Sequence, residues 1–293
     1  MKKIYVDEVP PNRTVAVYLR DRTDWAEKIK EIKPSRSYPS VMVFDLDDMD
    51  MDELAADVSD AMGIYGKHHW RTSEGENLDY GGFSLVYNPN HIEDPDPHGS
   101  TWGTTRNARD QFFYDSTKTH QVLKNSYFDG YGFNRPTPAS QYRSIGKLMS
   151  RSKLTRIRSR VAMIDAKYHR DPHATRVGWH RDEELPENVR LNIPLTTTKN
   201  FVFAIENKTP VHLGVGHAYS WDTNTPHRVY SLQQEESTRT HIVLGWSPWW
   251  DYIESENAWV QNEFYGKKHP LDMLVDGDVI SGLRFRPDIE LAV

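Results

Sequence analysis

The sequence predicts a mainly β protein, an antiparallel sandwich or jelly roll with a mixed α/β elaboration before it and a helical tail after it. Two observations carry that expectation. From Lys153 onward, short apolar or alternating runs succeed one another with turn residues between them and no helical interruption, the pattern of sandwiches and jelly rolls. Ahead of Lys153, runs of strand and helix character are mixed. The expected division is 1–152 for the elaboration, 153–250 for the β core and 251–293 for the tail, all packed as one structural unit.

In chain order, the β-branched run 14–19 predicts a strand. Residues 24–33, with Trp25, Ile29 and Ile32 near helical spacing and Pro34 as a stop, predict a short amphipathic helix. A second strand is expected at 40–46. A helix is expected at 52–62, with an acidic first turn and Gly63 at its end. Lys67-His68-His69-Trp70 suggests a metal site, but adjacent histidines cannot share one face of a strand, and a loop or strand pair meeting solvent and core is the favoured reading. Residues 88–105 are rich in Asn, Pro, Asp and Gly and predict a long loop carrying His91 and His98. A helix at 115–126, an aromatic Gly/Pro loop at 127–140 and a short basic helix at 144–152 complete this half.

The β core opens with 156–168, where Ile157, Val161, Met163 and Asp165 share one parity. Further strands are expected around 180–182 and at 189–196, 201–205, 211–213, 217–221, 227–232 and 240–246. In the tail, Trp246, Trp249, Trp250, Tyr252 and Trp259 lead into an expected helix at 253–264. The simplest role for these rings is packing over the end of the sandwich.

Composition narrows the function classes. Of 293 residues, 27% are charged and none is Cys, which excludes disulfides, cysteine-ligated zinc, iron–sulfur clusters and thiol nucleophiles. Any metal must be held by His, Asp, Glu or backbone oxygen. The net charge of −6 offers no electrostatic footprint for nucleic acid or an anionic membrane. No apolar h-region follows Lys2-Lys3, and no run reaches the ~20 apolar residues of a membrane span. The expectation is a soluble cytoplasmic protein.

One constellation carries chemistry. His180 and Asp182 stand two apart, so on an extended chain both side chains leave one face. His227, after the Asn224-Thr225-Pro226 turn, offers a second imidazole from a later strand, and Arg239 follows it. Two imidazoles and a carboxylate on one face of a divalent metal leave the opposite face open, as in non-heme Fe(II) oxygenases; Mn(II) and Zn(II) are also tolerated. Arg239 presents two parallel donors that suit a carboxylate. Arg190, Asn192 and Pro194 share one face of 189–196, opposite Leu191, Ile193 and Leu195. An inward Arg and Asn are costly unless they bind something polar; the other arrangement has both facing solvent on an edge strand.

These residues resemble a known family. His180-x-Asp182, Arg190-Leu191-Asn192-Ile193-Pro194-Leu195, Trp221-Asp222 before His227-Arg228-Val229, and Arg239-x-His241-Ile242-Val243-Leu244 together look like the aspartyl/asparaginyl β-hydroxylases. That family belongs to the Fe(II)/2-oxoglutarate-dependent oxygenases and includes bacterial hydroxylases of free proline. The resemblance spans residues 168–244, and the N-terminal half carries none. It implies a double-stranded β-helix (jelly roll, cupin-like) with His180, Asp182 and His227 as catalytic Fe(II) ligands. It also implies Arg239 on the distal carboxylate of 2-oxoglutarate, support from Arg190 in cosubstrate binding, and O2 as the oxidant. Many members carry His where this chain has Asn192, so Asn192 is the candidate at that position. The animal enzymes lack the metal-binding Asp, whereas Asp182 completes a triad as in the amino-acid hydroxylases.

The reaction so implied is hydroxylation of an unactivated C–H bond of an amino acid, free or within a peptide or protein. Trp179, Tyr168 and Trp221 are candidate substrate-packing residues, although core packing accounts for them equally well. Two other readings stand beside it. One is a cupin-type zinc or manganese enzyme without 2-oxoglutarate, with Arg239 holding a substrate anion. The other is a jelly-roll binding module whose His and Asp residues are incidental.

Overall fold

Fifteen strands are described in the computed structural model, which covers residues 2–10, 13–65, 68–71, 77–88, 130–168 and 179–291, with backbone alone for 68–71, 77–80 and Tyr168. In chain order they are β1 (Lys3–Tyr5), β2 (Met42–Leu46), β3 (His68–Arg71), β4 (Asn77–Ser84), β5 (Val86–Tyr87), β6 (Arg135–Pro136), β7 (Arg160–Asp165) and β8 (Val189–Thr196). Then follow β9 (Phe201–Ile205), β10 (Ala218–Ser220), β11 (His227–Ser231), β12 (Thr238–Trp246), β13 (Trp250–Ile253), β14 (Ala258–Gln261) and β15 (Leu283–Phe285).

The large sheet runs β15-β2-β10-β8-β12-β7-β4-β3, every neighbour antiparallel. Facing it, β11 pairs with β9, and single bridges His180↔His227 and Phe203↔Val211 extend this small sheet on both sides. Eight segments from β7 to β12 therefore divide between two sheets: β7, the His180 segment, β8, β9, the Val211 segment, β10, β11 and β12. Counted in that order, the large sheet reads first, eighth, third, sixth and the small one second, seventh, fourth, fifth. That pairing is a double-stranded β-helix, the jelly-roll closure of two antiparallel sheets. Strands from the N-terminal half, β2 on one side and β4 and β3 on the other, continue the large sheet beyond the eight.

Strand alternation gives the large sheet two different faces. On the outer face, Val161, Leu191, Ile193, Ile242 and Leu244 are buried in the main core. Leu54, Val58 and Ala61 of the helix Met51–Tyr65 and Ile145, Leu148 and Met149 of the helix Arg143–Ser150 belong to the same core. Asp57 joins those two helices, accepting from the backbone N–H of Ser144 at 3.0 Å and from Arg143 at 3.2 Å. The opposite face is polar. In register across it lie Gly245 with Arg190, Val243 with Asn192, and Asn192 with Tyr219.

Several elements differ from expectation. Residues expected as a strand at 14–19 belong to the helix Val15–Arg22. Thr14 caps it, accepting from the Val17 N–H at 3.2 Å. Val15, Ala16, Tyr18 and Leu19 are buried, a helical spacing that outweighs β-branched propensity. The helix expected at 253–264 is a hairpin of β13 and β14, because Asn257 turns the chain in the left-handed region (φ 47°). Tyr252 then pairs with Trp259, and β1 adds a third strand. In the tail the described helix is instead Pro270–Val275. The long strand expected at 156–168 is confined to β7, since Arg158 takes a positive φ of 51° before it and a 3-10 turn, Ala166–Tyr168, follows. Gly63 lies inside the helix Met51–Tyr65 rather than ending it.

The expected loop at 88–105, with His91 and His98, and the helix at 115–126 lie outside the described residues beyond Asn88. Part of the loop expected at 127–140 is described: Tyr131 and Phe133 are buried there, and β6 pairs with β5. No described helix is long and apolar enough to cross a membrane.

Candidate metal centre

Two backbone hydrogen bonds build the site. His180 N–H donates to His227 C=O at 3.1 Å, and His227 N–H donates back to His180 C=O at 3.0 Å. A pair that exchanges both bonds in an antiparallel bridge projects both side chains from the same side, and the two imidazole centroids stand 4.5 Å apart. Two residues further on, Asp182 N–H donates to Thr223 C=O at 2.9 Å. This extended course brings the Asp182 carboxylate back to the face of His180. The segment is a bridge rather than the full strand expected around 180–182.

Among the described residues, His180, Asp182 and His227 are the group whose ligating atoms cluster, all within 4.8 Å of one another. Nε2 of His227 lies 3.5 Å and Nε2 of His180 3.9 Å from Asp182 Oδ2. Two ligands each about 2.1 Å from one ion can stand up to about 4.2 Å apart. Nδ1 of His227 faces the Thr225 carbonyl at 2.8 Å. A carbonyl only accepts, so that nitrogen carries the proton and Nε2 keeps its lone pair toward the cluster. Burial works against the charge of Asp182, but the Arg190 guanidinium above all, with Arg158 beyond it, holds its carboxyl well below the usual carboxylate range. A neutral imidazole nitrogen and an ionised carboxylate are ligands in their binding forms. The donor set fits Fe(II) or Mn(II), and tolerates Zn(II).

Beyond the triad lies the polar face of the large sheet. Arg239, 3% exposed, donates from Nη1 to Nδ1 of His241 at 2.8 Å. Burial first, then the charges of Arg239 and Arg160, push the His241 imidazole well below its ordinary value, so it is a neutral acceptor. Asn192 is buried on the same face between Val243 and Tyr219. The Tyr219 phenol donates to Gly214 C=O at 3.1 Å, and burial pushes it up to about 12. Neither Arg190 nor Asn192 faces solvent, at 3% and 6% exposed.

Arg190 reaches the cluster from β8 and grips Asp182 Oδ2 and Glu183 Oε2 with its two terminal nitrogens. Glu183 also pairs with Arg158. Glu183 and Arg158 went unnoticed in the sequence. Glu183 follows a ligand directly, which is a weak signal; Arg158 comes from the segment before β7, and nothing local marks it.

The three aromatic candidates part company. The Trp221 ring is buried and stands edge-on to His227, with centroids 5.4 Å apart and planes at 68°. Its Nε1 has no hydrogen-bond partner among the described residues. Phe203 from β9 packs on it, centroids 4.3 Å apart. Trp179 precedes His180 and, by alternation, lies on the far face; it is 49% exposed, with the Arg228 guanidinium 4.7 Å over its ring. The Tyr168 side chain lies outside the described residues.

No family model matches the chain, and no curated protein is similar to it. Solved structures that it resembles include a prolyl hydroxylase in complex with a hypoxia inducible factor oxygen degradation domain peptide fragment from Trichoplax adhaerens. Identity is 10%, over 71% of this chain and 83% of that one, with a TM-score of 0.32. Another is an oxidoreductase of the 2OG-Fe(II) oxygenase family from Burkholderia pseudomallei, at 12% identity over 82% of this chain and 93% of that one, with a TM-score of 0.34.

Proposed function

We propose that this chain is an Fe(II)/2-oxoglutarate-dependent oxygenase that hydroxylates an unactivated C–H bond of an amino acid, free or in a peptide. One observation carries the reading: His180, Asp182 and His227 cluster inside a double-stranded β-helix whose polar sheet face also bears the buried Arg239. The resemblance of the same residues to the aspartyl/asparaginyl β-hydroxylase family supports it. The complete triad favours the amino-acid hydroxylases within that family.

In this reading His180, Asp182 and His227 hold the iron. Iron supplies O2 activation, with 2-oxoglutarate oxidised to succinate and CO2 as the hydroxyl group is delivered to the substrate. The protein supplies orientation and a dry site. Arg239 binds the distal carboxylate of the cosubstrate through the fork geometry of a guanidinium. His241, neutral, holds Arg239 without competing for the anion's charge. Asn192, one strand over on the same face, is a neutral donor for the remaining polar end. Trp221 and Phe203 cover one side of His227 and exclude water there.

The test is spectroscopic. Anaerobic protein is mixed with Fe(II), then with 2-oxoglutarate; a visible charge-transfer band is expected, followed in air by succinate formation with candidate amino acids or peptides. No band and no succinate overturn the proposal. Tight Zn(II) or Mn(II) binding without any response to 2-oxoglutarate would instead identify a cupin-type metal enzyme, with Arg239 holding a substrate anion.

A further inference from the structure

Arg190 makes contacts at odds with a role in gripping the cosubstrate. Its two terminal nitrogens are both taken by carboxylates of this chain, Asp182 Oδ2 and Glu183 Oε2. Oδ2 is also the Asp182 oxygen that faces His180 and His227. Behind this pair, Glu183 turns its other oxygen to Arg158. Four charges therefore alternate in a line, Arg158, Glu183, Arg190 and Asp182, and together they are neutral.

The line is built into the backbone. Both guanidinium groups are buried, Arg158 at 5% and Arg190 at 3% exposure. Arg158 holds a left-handed φ of 51°, and the chain passes so close at Gly130 that a Cβ there would lie 2.5 Å from Arg158 Cδ. Thr223, whose carbonyl receives Asp182 N–H, donates its hydroxyl to Glu183 C=O at 2.7 Å. With its amide turned to suit its neighbours, Asn188 accepts from Arg190 Nε at 2.9 Å. Buried ion pairs are retained at a desolvation cost, and carboxylates held from two sides in this way fix geometry.

We propose that Arg190 is a positioning residue for the metal ligand Asp182, braced by Glu183 and Arg158, and not a clamp for 2-oxoglutarate. The inference rests on the reading of His180, Asp182 and His227 as a metal site. A carboxylate oxygen accepts in two directions; Arg190 fills one and turns the other toward the two imidazoles. Glu183 has a separate task. It cancels the charge of Arg190, which would otherwise repel a dication bound at the same oxygen.

The probe is Co(II), titrated anaerobically into the full chain without 2-oxoglutarate and read by its visible absorption bands. Groups that orient metal ligands typically contribute about 10- to 100-fold in metal affinity, and a weakening in that range is expected for Arg190→Met, with a shifted band. The affinity of the Co(II)-loaded variant for 2-oxoglutarate should stay at the wild-type value. Glu183→Gln should also weaken Co(II) binding, because it leaves the charge of Arg190 uncancelled. Wild-type or tighter Co(II) affinity in Arg190→Met, or a loss confined to 2-oxoglutarate, overturns the proposal. Arg190→Lys keeps the buried charge but cannot bridge two carboxylates, and carries the same criteria if Arg190→Met does not fold. Failure of the wild-type chain to bind Co(II) overturns the metal-site reading itself.

Discussion

Nη1 of Arg239 and Nδ1 of His241 meet at 2.8 Å on one buried sheet face. Guanidinium only donates, so the imidazole must accept and stay neutral. Arg239→Met should raise the Kd for 2-oxoglutarate of the metal-loaded chain by about 10- to 100-fold, the worth of a lost charge-assisted hydrogen bond. Metal affinity should not change. Calorimetric titration of cosubstrate and metal separates the two effects.

His180 and Asp182 should respond differently to truncation. The His180 side chain is about a third exposed, so His180→Ala should lose metal while its melting temperature stays close to that of the wild-type apo protein. Asp182→Ala should lose metal and stability together. It removes one of the two carboxylates that pair with the buried Arg190, a loss that costs at most about 3–5 kcal/mol because Glu183 still compensates the charge. Metal content and denaturant unfolding on the same samples check both.

Acid should loosen the junction between the tail and the N-terminal elaboration. Burial works against the charge of Asp272, but the phenol of Tyr38 and the backbone and hydroxyl of Ser35 outweigh it and hold its carboxyl below the ordinary value. For Asp57, the Ser144 hydroxyl is the main cause of a lowered value, with the Ser144 N–H and Arg143 adding to it against burial. A carboxyl lowered in the folded state contributes stability that is complete above the unfolded value of about 3.9 and is lost as pH falls through the folded value. Stability should therefore fall steeply below about pH 4. Asp272→Asn should be less stable at neutral pH and show a shallower acid decline, measured by urea unfolding across pH.

Gly82 of β4 lies directly against the backbone of β7. A Cβ there would lie 2.0 Å from the Val161 carbonyl oxygen, and φ is +148°. Gly82→Ala should cost at least about 1–3 kcal/mol, the scale of a backbone held in a region closed to side chains. Thermal unfolding of the variant reads this directly.

Local information carried much of the core. The alternation of Leu191, Ile193 and Leu195 against Arg190 and Asn192 is a property of one strand, and it put the polar face on the correct residues without any knowledge of partners. The donor types behaved the same way: without cysteine, only His and carboxylates could form a metal cluster, and His180-x-Asp182 and His227 were visible as candidates. Where local preference conflicted with tertiary packing, the sequence misled. Val15 and Val17 favour a strand, yet the cap at Thr14 and burial of one helical stripe impose a helix. The run from Ile253 to Phe264 looks helical until Asn257 reverses the chain and β1 pairs with it.

By itself, then, the sequence determined the β-rich class of the second half, the faces of its strands and the chemical type of its candidate metal donors. All of these follow from neighbours along the chain. Only the tertiary structure decided which residues meet. The His180–His227 bridge, the seating of Trp179 on the far face and the line from Arg158 through Glu183 and Arg190 to Asp182 join segments far apart in sequence. Such contacts depend on sheet register and on charges that must neutralise one another once buried. Composition and periodicity carry no record of either.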